Sequence, residues 1–157
     1  MSFHEALARL ALADARRFEA ETARMLRDIL RSCRDAATRK VIEEIIAEEE
    51  GHLRQLEGAS AAGTPASQPV PPAAKQELPA IPDTILEDGP IRDRLRQVLR
   101  KEEASVAFYS LLAERTLIPP VRRVFEAIAA QERGHAAKLA EHLRRASTSA
   151  AGRGEEP

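Results

Sequence analysis

Residues 39–56, RKVIEEIIAEEEGHLRQL, return as residues 122–139, RRVFEAIAAQERGHAAKL, with nine of the eighteen positions identical at a constant offset of 83. Each copy carries Glu-x-x-His: Glu49 with His52, and Glu132 with His135. On an α-helix positions i and i+3 share a face, and the apolar residues recur at helical spacing on that same face, Ile42, Ile45 and Leu56 in one copy and Ile128 and Leu139 in the other. One Glu-x-x-His says little. Two in register inside a repeat are hard to obtain by chance. The offset also maps Glu19 onto Glu102, each 30 residues before the glutamate of its motif and each in the middle of an apolar helical stripe. Six residues with metal-ligand chemistry therefore form two matched sets of three.

Working outward, the pattern predicts an all-α four-helix bundle of two repeated helical hairpins. Phe, Tyr and Trp make up only 3% of the chain, and few segments alternate apolar and polar residues as half-buried strands do. Ser2-x-x-Glu5 has the form of a capping box, so a first helix should run from there to about Arg31, with Leu7, Ala11, Ala15, Glu19, Thr22, Leu26 and Ile29 on its inner face. A second helix is expected over about residues 37–57, stopped by Gly58. The third should start at Asp88-Gly89-Pro90 and face inward with Ile91, Leu95, Val98, Glu102, Ser105, Tyr109 and Leu112. The fourth starts at Pro119-Pro120, with Val121, Val124, Ile128, Glu132, His135, Leu139 and Leu143 inside.

Residues 58–87 are rich in Pro, Ala and Ser and read as a long crossover linker within one domain of residues 1–146; residues 147–157 read as a disordered tail. The hairpin turns are short, so the helices of each pair should be antiparallel. Glu19 and Glu49 are equidistant from residue 34, as Glu102 and Glu132 are from residue 117. At ~1.5 Å per residue each pair lies level, ~22 Å from its turn. A crossover spanning the bundle lets the third helix run parallel to the second, and all six residues then meet at mid-bundle.

The 157 residues carry a formal charge of −1 with both signs interspersed, which gives no basic footprint for nucleic acid and no polybasic membrane patch. His4, Glu5 and Asp14 interrupt the N-terminal apolar positions, unlike a signal-peptide core. No run approaches the ~20 apolar residues needed to span a bilayer. These features point to a cytoplasmic protein. The single cysteine, Cys33, excludes an intrachain disulfide and a Cys-x-x-Cys redox module.

Four carboxylates against two divalent ions leave a formally neutral centre, whereas several uncompensated buried charges would be costly. Oxygen and imidazole donors without thiolate suit iron or manganese, with zinc possible. Glu21, Glu43, Glu44, Glu48, Glu50 and Glu103 do not match both spacing and repeat, and read as solvated or flanking charges; His4 and His142 lack a repeat partner and read as surface residues. Gly51 and Gly134 precede the two histidines although a mid-helix Gly costs ~1 kcal/mol; close helix approach and plain inheritance from a duplicated hairpin both account for them. Tyr109, two turns after Glu102, is either an ordinary core residue or a hydroxyl donor to a ligand carboxylate, and its repeat equivalent is Leu26.

A Glu from each of two helices plus Glu-x-x-His from the other two is the signature of ferritin-like di-iron or di-manganese bundles. Over nearly all of residues 2–145 the chain resembles the rubrerythrin-type branch of that superfamily, with RKEEASVAFYSLLAE resembling its third, ligand-bearing helix and IAAQERGHAAKL its fourth. The resemblance implies a centre of two iron ions held by Glu19, Glu49, His52, Glu102, Glu132 and His135, with Glu49 and Glu132 bridging. It also implies an oxidoreductase that reduces peroxide or dioxygen. The chain lacks the cysteines of the rubredoxin-like module that rubrerythrins usually carry, so electrons are expected from an external donor. Ser105 stands where that family has a further glutamate. Ferroxidase and iron-handling activity, with Fe(II) as substrate, is the second reading, and a bundle that uses metal only for stability is the third. A homodimer is possible.

Overall fold

The computed structural model describes residues 2–61, 78, 80 and 88–151. Four helices make up the described chain: α1 (Phe3–Ser32), α2 (Ala36–Ala61), α3 (Ile91–Arg115) and α4 (Pro119–Ala151). The helix α1 begins with the capping box, in which Ser2 Oγ accepts from the Glu5 N–H at 3.3 Å and Glu5 Oε2 accepts from the Ser2 N–H at 2.6 Å.

The two hairpin turns share two backbone-closing contacts. The Cys33 N–H donates to Ile29 O, and 83 residues on the Thr116 N–H donates to Leu112 O, each at 3.0 Å. The Arg39 guanidinium then closes the end of α1 by donating to Cys33 O at 3.0 Å, and Arg122 does the same to Thr116 O at 3.1 Å. These bonds satisfy carbonyls that a helix end leaves orphaned. Asp35 additionally caps α2, accepting from the Thr38 N–H at 2.7 Å.

Helix α1 packs on α2 and α3 on α4, and the hairpins meet through α2 against α4 and α1 against α3. One apolar cluster joins the N-terminal half of α1 (Leu12, Phe18) to Leu56 of α2, the C-terminal half of α3 (Phe108, Leu112) and the start of α4 (Phe125, Ile128). The other joins Leu26 and Ile29 of α1, Ile42 and Ile45 of α2, Leu95 and Val98 of α3, and Leu139 of α4. This sharing runs α3 antiparallel to α1 and parallel to α2, the arrangement the crossover length allows. The six repeat residues lie between the two clusters. Each large side chain buried there contributes ~1.5–3 kcal/mol, so the polar layer is clamped by apolar packing at both ends.

Two helix ends differ from the sequence reading. Helix α2 runs through Gly58 to Ala61: Ala59, Ser60 and Ala61 contain no breaker, and Gly58 sits inside the helix and does not end it. Helix α4 continues past residue 146 to Ala151, into the stretch whose lack of apolar periodicity reads as a tail. Ser147 Oγ and Thr148 Oγ1 donate back to Leu143 O and Arg145 O, both at 2.9 Å, within that extension. Most of the crossover (62–77, 79 and 81–87) and residues 152–157 lie outside the described residues; Leu78 of the crossover packs against the first cluster.

The glycines before the two histidines are not there to let helices approach. A Cβ at Gly134 would meet nothing within 4 Å, and one at Gly51 would meet only Arg54 Nη2 at 3.8 Å. Since Ala is favoured over Gly by ~1 kcal/mol in a helix interior, Gly51→Ala and Gly134→Ala should each raise stability by about that amount, additively. Thermal melts of both single variants and the double variant check this; a loss of stability would show that backbone freedom is needed there.

Candidate metal centre

Glu19 of α1, Glu49 and His52 of α2, Glu102 of α3, and Glu132 and His135 of α4 converge, and none is more than 1% exposed. They form two groups whose ligand-type atoms lie within 4.8 Å of one another: Glu19, Glu49, His52 and Glu132, and Glu49, Glu102, Glu132 and His135. Glu49 and Glu132 belong to both groups, as two bridging carboxylates would. The histidine rings stack across the centre at 5.4 Å between centroids, 22° from parallel. Both present Nδ1 to the carboxylates. His52 Nδ1 lies 3.0 Å from Glu19 and 3.1 Å from Glu132, and His135 Nδ1 lies 3.1 Å from Glu49 and 3.5 Å from Glu102.

So many buried charges demand compensation. Burial pushes Glu19 and Glu102 well above the usual carboxylate range, reinforced by hydrogen bonding to Glu49 and Glu132 respectively. Burial also opposes ionisation of Glu49 and Glu132, but there hydrogen bonds outweigh it, from Glu19 and both histidines for Glu49 and from Glu102 and both histidines for Glu132, holding those carboxyls below that range. For His52, burial disfavours the cation, yet bonds to Glu132, Glu19 and Glu49 push its pKa up to about 11. His135 is likewise raised by Glu102, Glu132 and Glu49 against the effect of burial. Without metal these directions favour protons on Glu19, Glu102 and the two imidazoles, an arrangement with no net charge.

Those protons do not give every atom a partner. By strict hydrogen-bond geometry the oxygens of Glu49 and Glu102, Glu132 Oε1 and His135 Nδ1 stay unsatisfied despite these close approaches, and His52 Nε2, on the outer edge of its ring, has no partner. Buried polar atoms are nearly always satisfied, and carboxylate oxygens and imidazole nitrogens converging in this way are a donor set that fits divalent iron or manganese. Two such ions would replace the four protons charge for charge.

Around this layer, Tyr109 takes the hydroxyl-donor role and not that of an ordinary core residue: fully buried, it donates to Glu19 Oε1. Burial first, then the neighbouring Glu19 carboxyl, raises its own pKa and keeps it a phenol. The mirrored carboxylate, Glu102, has Leu26 at the equivalent place, so only one half has this donor. Ser105, buried, donates to Lys101 O at 3.0 Å.

Three residues lie outside the sequence reading or against it. Glu48 is a flanking charge that also makes specific contacts: its side chain is 42% exposed, yet its Oε2 is 2.7 Å from His135 Nε2 and its Oε1 accepts from Lys138 Nζ at 2.8 Å. His142 is part-buried and not a free surface residue, its Nε2 lying 2.9 Å from Thr38 Oγ1 across α2 and α4. Lys101, only 4% exposed, sets its ammonium 3.9 Å above the Phe18 ring centroid, and burial lowers its pKa. Lys101 and Phe18 are repeat equivalents 83 residues apart, so the offset could have paired them; nothing in the periodicity marks a lysine as buried.

Fold and site together define a class: an all-α bundle whose middle layer is a buried cluster of four carboxylates and two histidines, of the kind built in ferritin-like carboxylate proteins. Residues 93–153, nearly all of α3 and α4, match the family model described as Rubrerythrin, consistent with a rubrerythrin-type ferritin-like member. No curated protein and no solved structure matches the chain. Among the described residues no helix is long and apolar enough to cross a membrane.

Proposed function

We propose that this chain is a di-iron carboxylate oxidoreductase that reduces peroxide or dioxygen with electrons from an external donor. The observation that carries the reading is the convergence of Glu19, Glu49, His52, Glu102, Glu132 and His135 as two buried groups sharing Glu49 and Glu132. Glu19 and His52 would hold one ion, Glu102 and His135 the other, and Glu49 and Glu132 would serve both. Two iron ions held there would supply two electrons to one oxidant molecule. The chain's part is to hold the donors in place: the Tyr109 hydroxyl restrains Glu19, and the apolar clusters on either side limit access by water. Cys33 is buried at the first hairpin turn, away from the six residues, and the electrons for repeated turnover would come from a separate donor.

Metal analysis and titration test the reading. Apo-protein titrated with Fe(II) under anaerobic conditions, or with Mn(II), should saturate near two equivalents, and Glu49→Ala/Glu132→Ala should abolish uptake; saturation at one equivalent, or unchanged uptake by the variant, removes it. In stopped-flow mixing with hydrogen peroxide or dioxygen, the Fe(II)-loaded protein should oxidise much faster than free Fe(II). Oxidation no faster than in the double variant would leave a metal-stabilised bundle, and ferric iron passed into a mineral core after each cycle would favour iron handling.

A further inference from the structure

The repeat is symmetric in its six central residues and asymmetric just outside them. His135 turns Nδ1 toward Glu49 and Glu102, and its outer nitrogen, Nε2, lies 2.7 Å from Glu48 Oε2. Glu48 is itself held by Lys138 of α4, whose ammonium lies 2.8 Å from Oε1. His52 turns Nδ1 to the carboxylates in the same way, but its Nε2 is buried with no hydrogen-bond partner. The sequence explains the difference: 83 residues beyond Glu48 stands Gln131, which is exposed.

We propose that Glu48 is a positioning residue that makes the two metal positions unequal, so that the one completed by His135 binds its ion more tightly. This rests on the two-metal reading above. A carboxylate that accepts from Nε2–H keeps that proton in place, leaves the lone pair on Nδ1, fixes the ring orientation and raises the basicity of the ligating nitrogen. Loss of such a partner typically lowers metal affinity ~10–100-fold. Glu48 and His135 stand on facing helices, α2 and α4, so the contact also ties the ring to the neighbouring hairpin. The opposite half has a different restraint, the Tyr109 hydroxyl on the Glu19 carboxylate. One position is therefore held through its histidine and the other through its terminal carboxylate.

Co(II) titration of the full chain, followed by visible absorption and by calorimetry, tests this. The unmodified protein should bind Co(II) in two resolved steps. In Glu48→Ala one step should weaken ~10–100-fold while the other keeps its affinity, and Glu48→Gln, which retains a neutral acceptor, should fall between. In Zn(II)-saturated protein, ¹⁵N spectra of the histidine rings should show His135 with its proton on Nε2. Removal of a merely structural ion pair would lower the apo melting temperature and leave both steps alone; Lys138→Met is the control for that effect. Two unchanged steps in Glu48→Ala, equal weakening of both, or His135 protonated on Nδ1 would overturn the assignment of Glu48 while leaving the two-metal reading intact. Absence of Co(II) uptake by the unmodified protein would instead remove that reading itself.

Discussion

Loading the apo-protein with two divalent ions at pH 7 is expected to release close to four protons. Burial keeps Glu19 and Glu102 protonated beside Glu49 and Glu132, and surrounding carboxylates hold protons on His52, up to about pH 11, and on His135. A metal ion needs these ligands deprotonated. If each ion displaces two protons, its apparent affinity rises about 100-fold per pH unit while those groups remain protonated in the apo state. Calorimetry in buffers of different ionisation enthalpy counts the protons directly, with Mn(II) as the probe to avoid oxidation. Release of only two for the pair would mean that the imidazoles are already neutral and that the cluster compensates its charge in another way. The Glu49→Ala/Glu132→Ala protein should release none, since it lacks both shared carboxylates.

The duplication is what made the centre legible. Each of the six residues could be matched to a partner 83 positions away and placed on a helix face by period alone, and the short turns set the pairs level. What escaped is what a repeat and a period do not encode. Glu48 lies beside the inward face of α2, and whether a flanking side chain reaches solvent or a neighbouring histidine depends on which helix packs against that flank. His142 meets Thr38 for the same reason. Lys101 looks like a solvated charge because Lys usually is one; its stem runs along apolar surface and its head finds the Phe18 ring. Gly58 was read as a stop because Gly favours the position just past a helix end, but that preference needs a chain that turns, and Ala59–Ala61 continue the helix.

Apo and metal-loaded protein should respond to pH differently. In the apo state Glu19, Glu102, His52 and His135 all have folded-state pKa values above their unfolded ones. The native chain therefore binds more protons than the unfolded chain once pH exceeds ~4.5 for the carboxyls and ~6.5 for the imidazoles. Stability falls as pH rises wherever the native state holds the excess. Glu49 and Glu132, with lowered values, act the other way, but only below ~4.5. Each excess proton lowers stability by ~1.4 kcal/mol per pH unit, about 3–6 °C in Tm for a domain of this size, so the apo form should melt progressively earlier from pH 6 to pH 9. Metal removes this slope, because the loaded native state no longer holds the four extra protons. Binding to the native state adds ~2.7 kcal/mol per ion at one hundred times Kd, so ~5 kcal/mol for two, and the gain grows as deprotonation favours the ligands. Scanning calorimetry of apo and Mn(II)-saturated protein across that range should give diverging curves, with the gap widest at high pH. Parallel curves would show that the four protons are not displaced by metal, and equal curves that no ion binds the folded bundle.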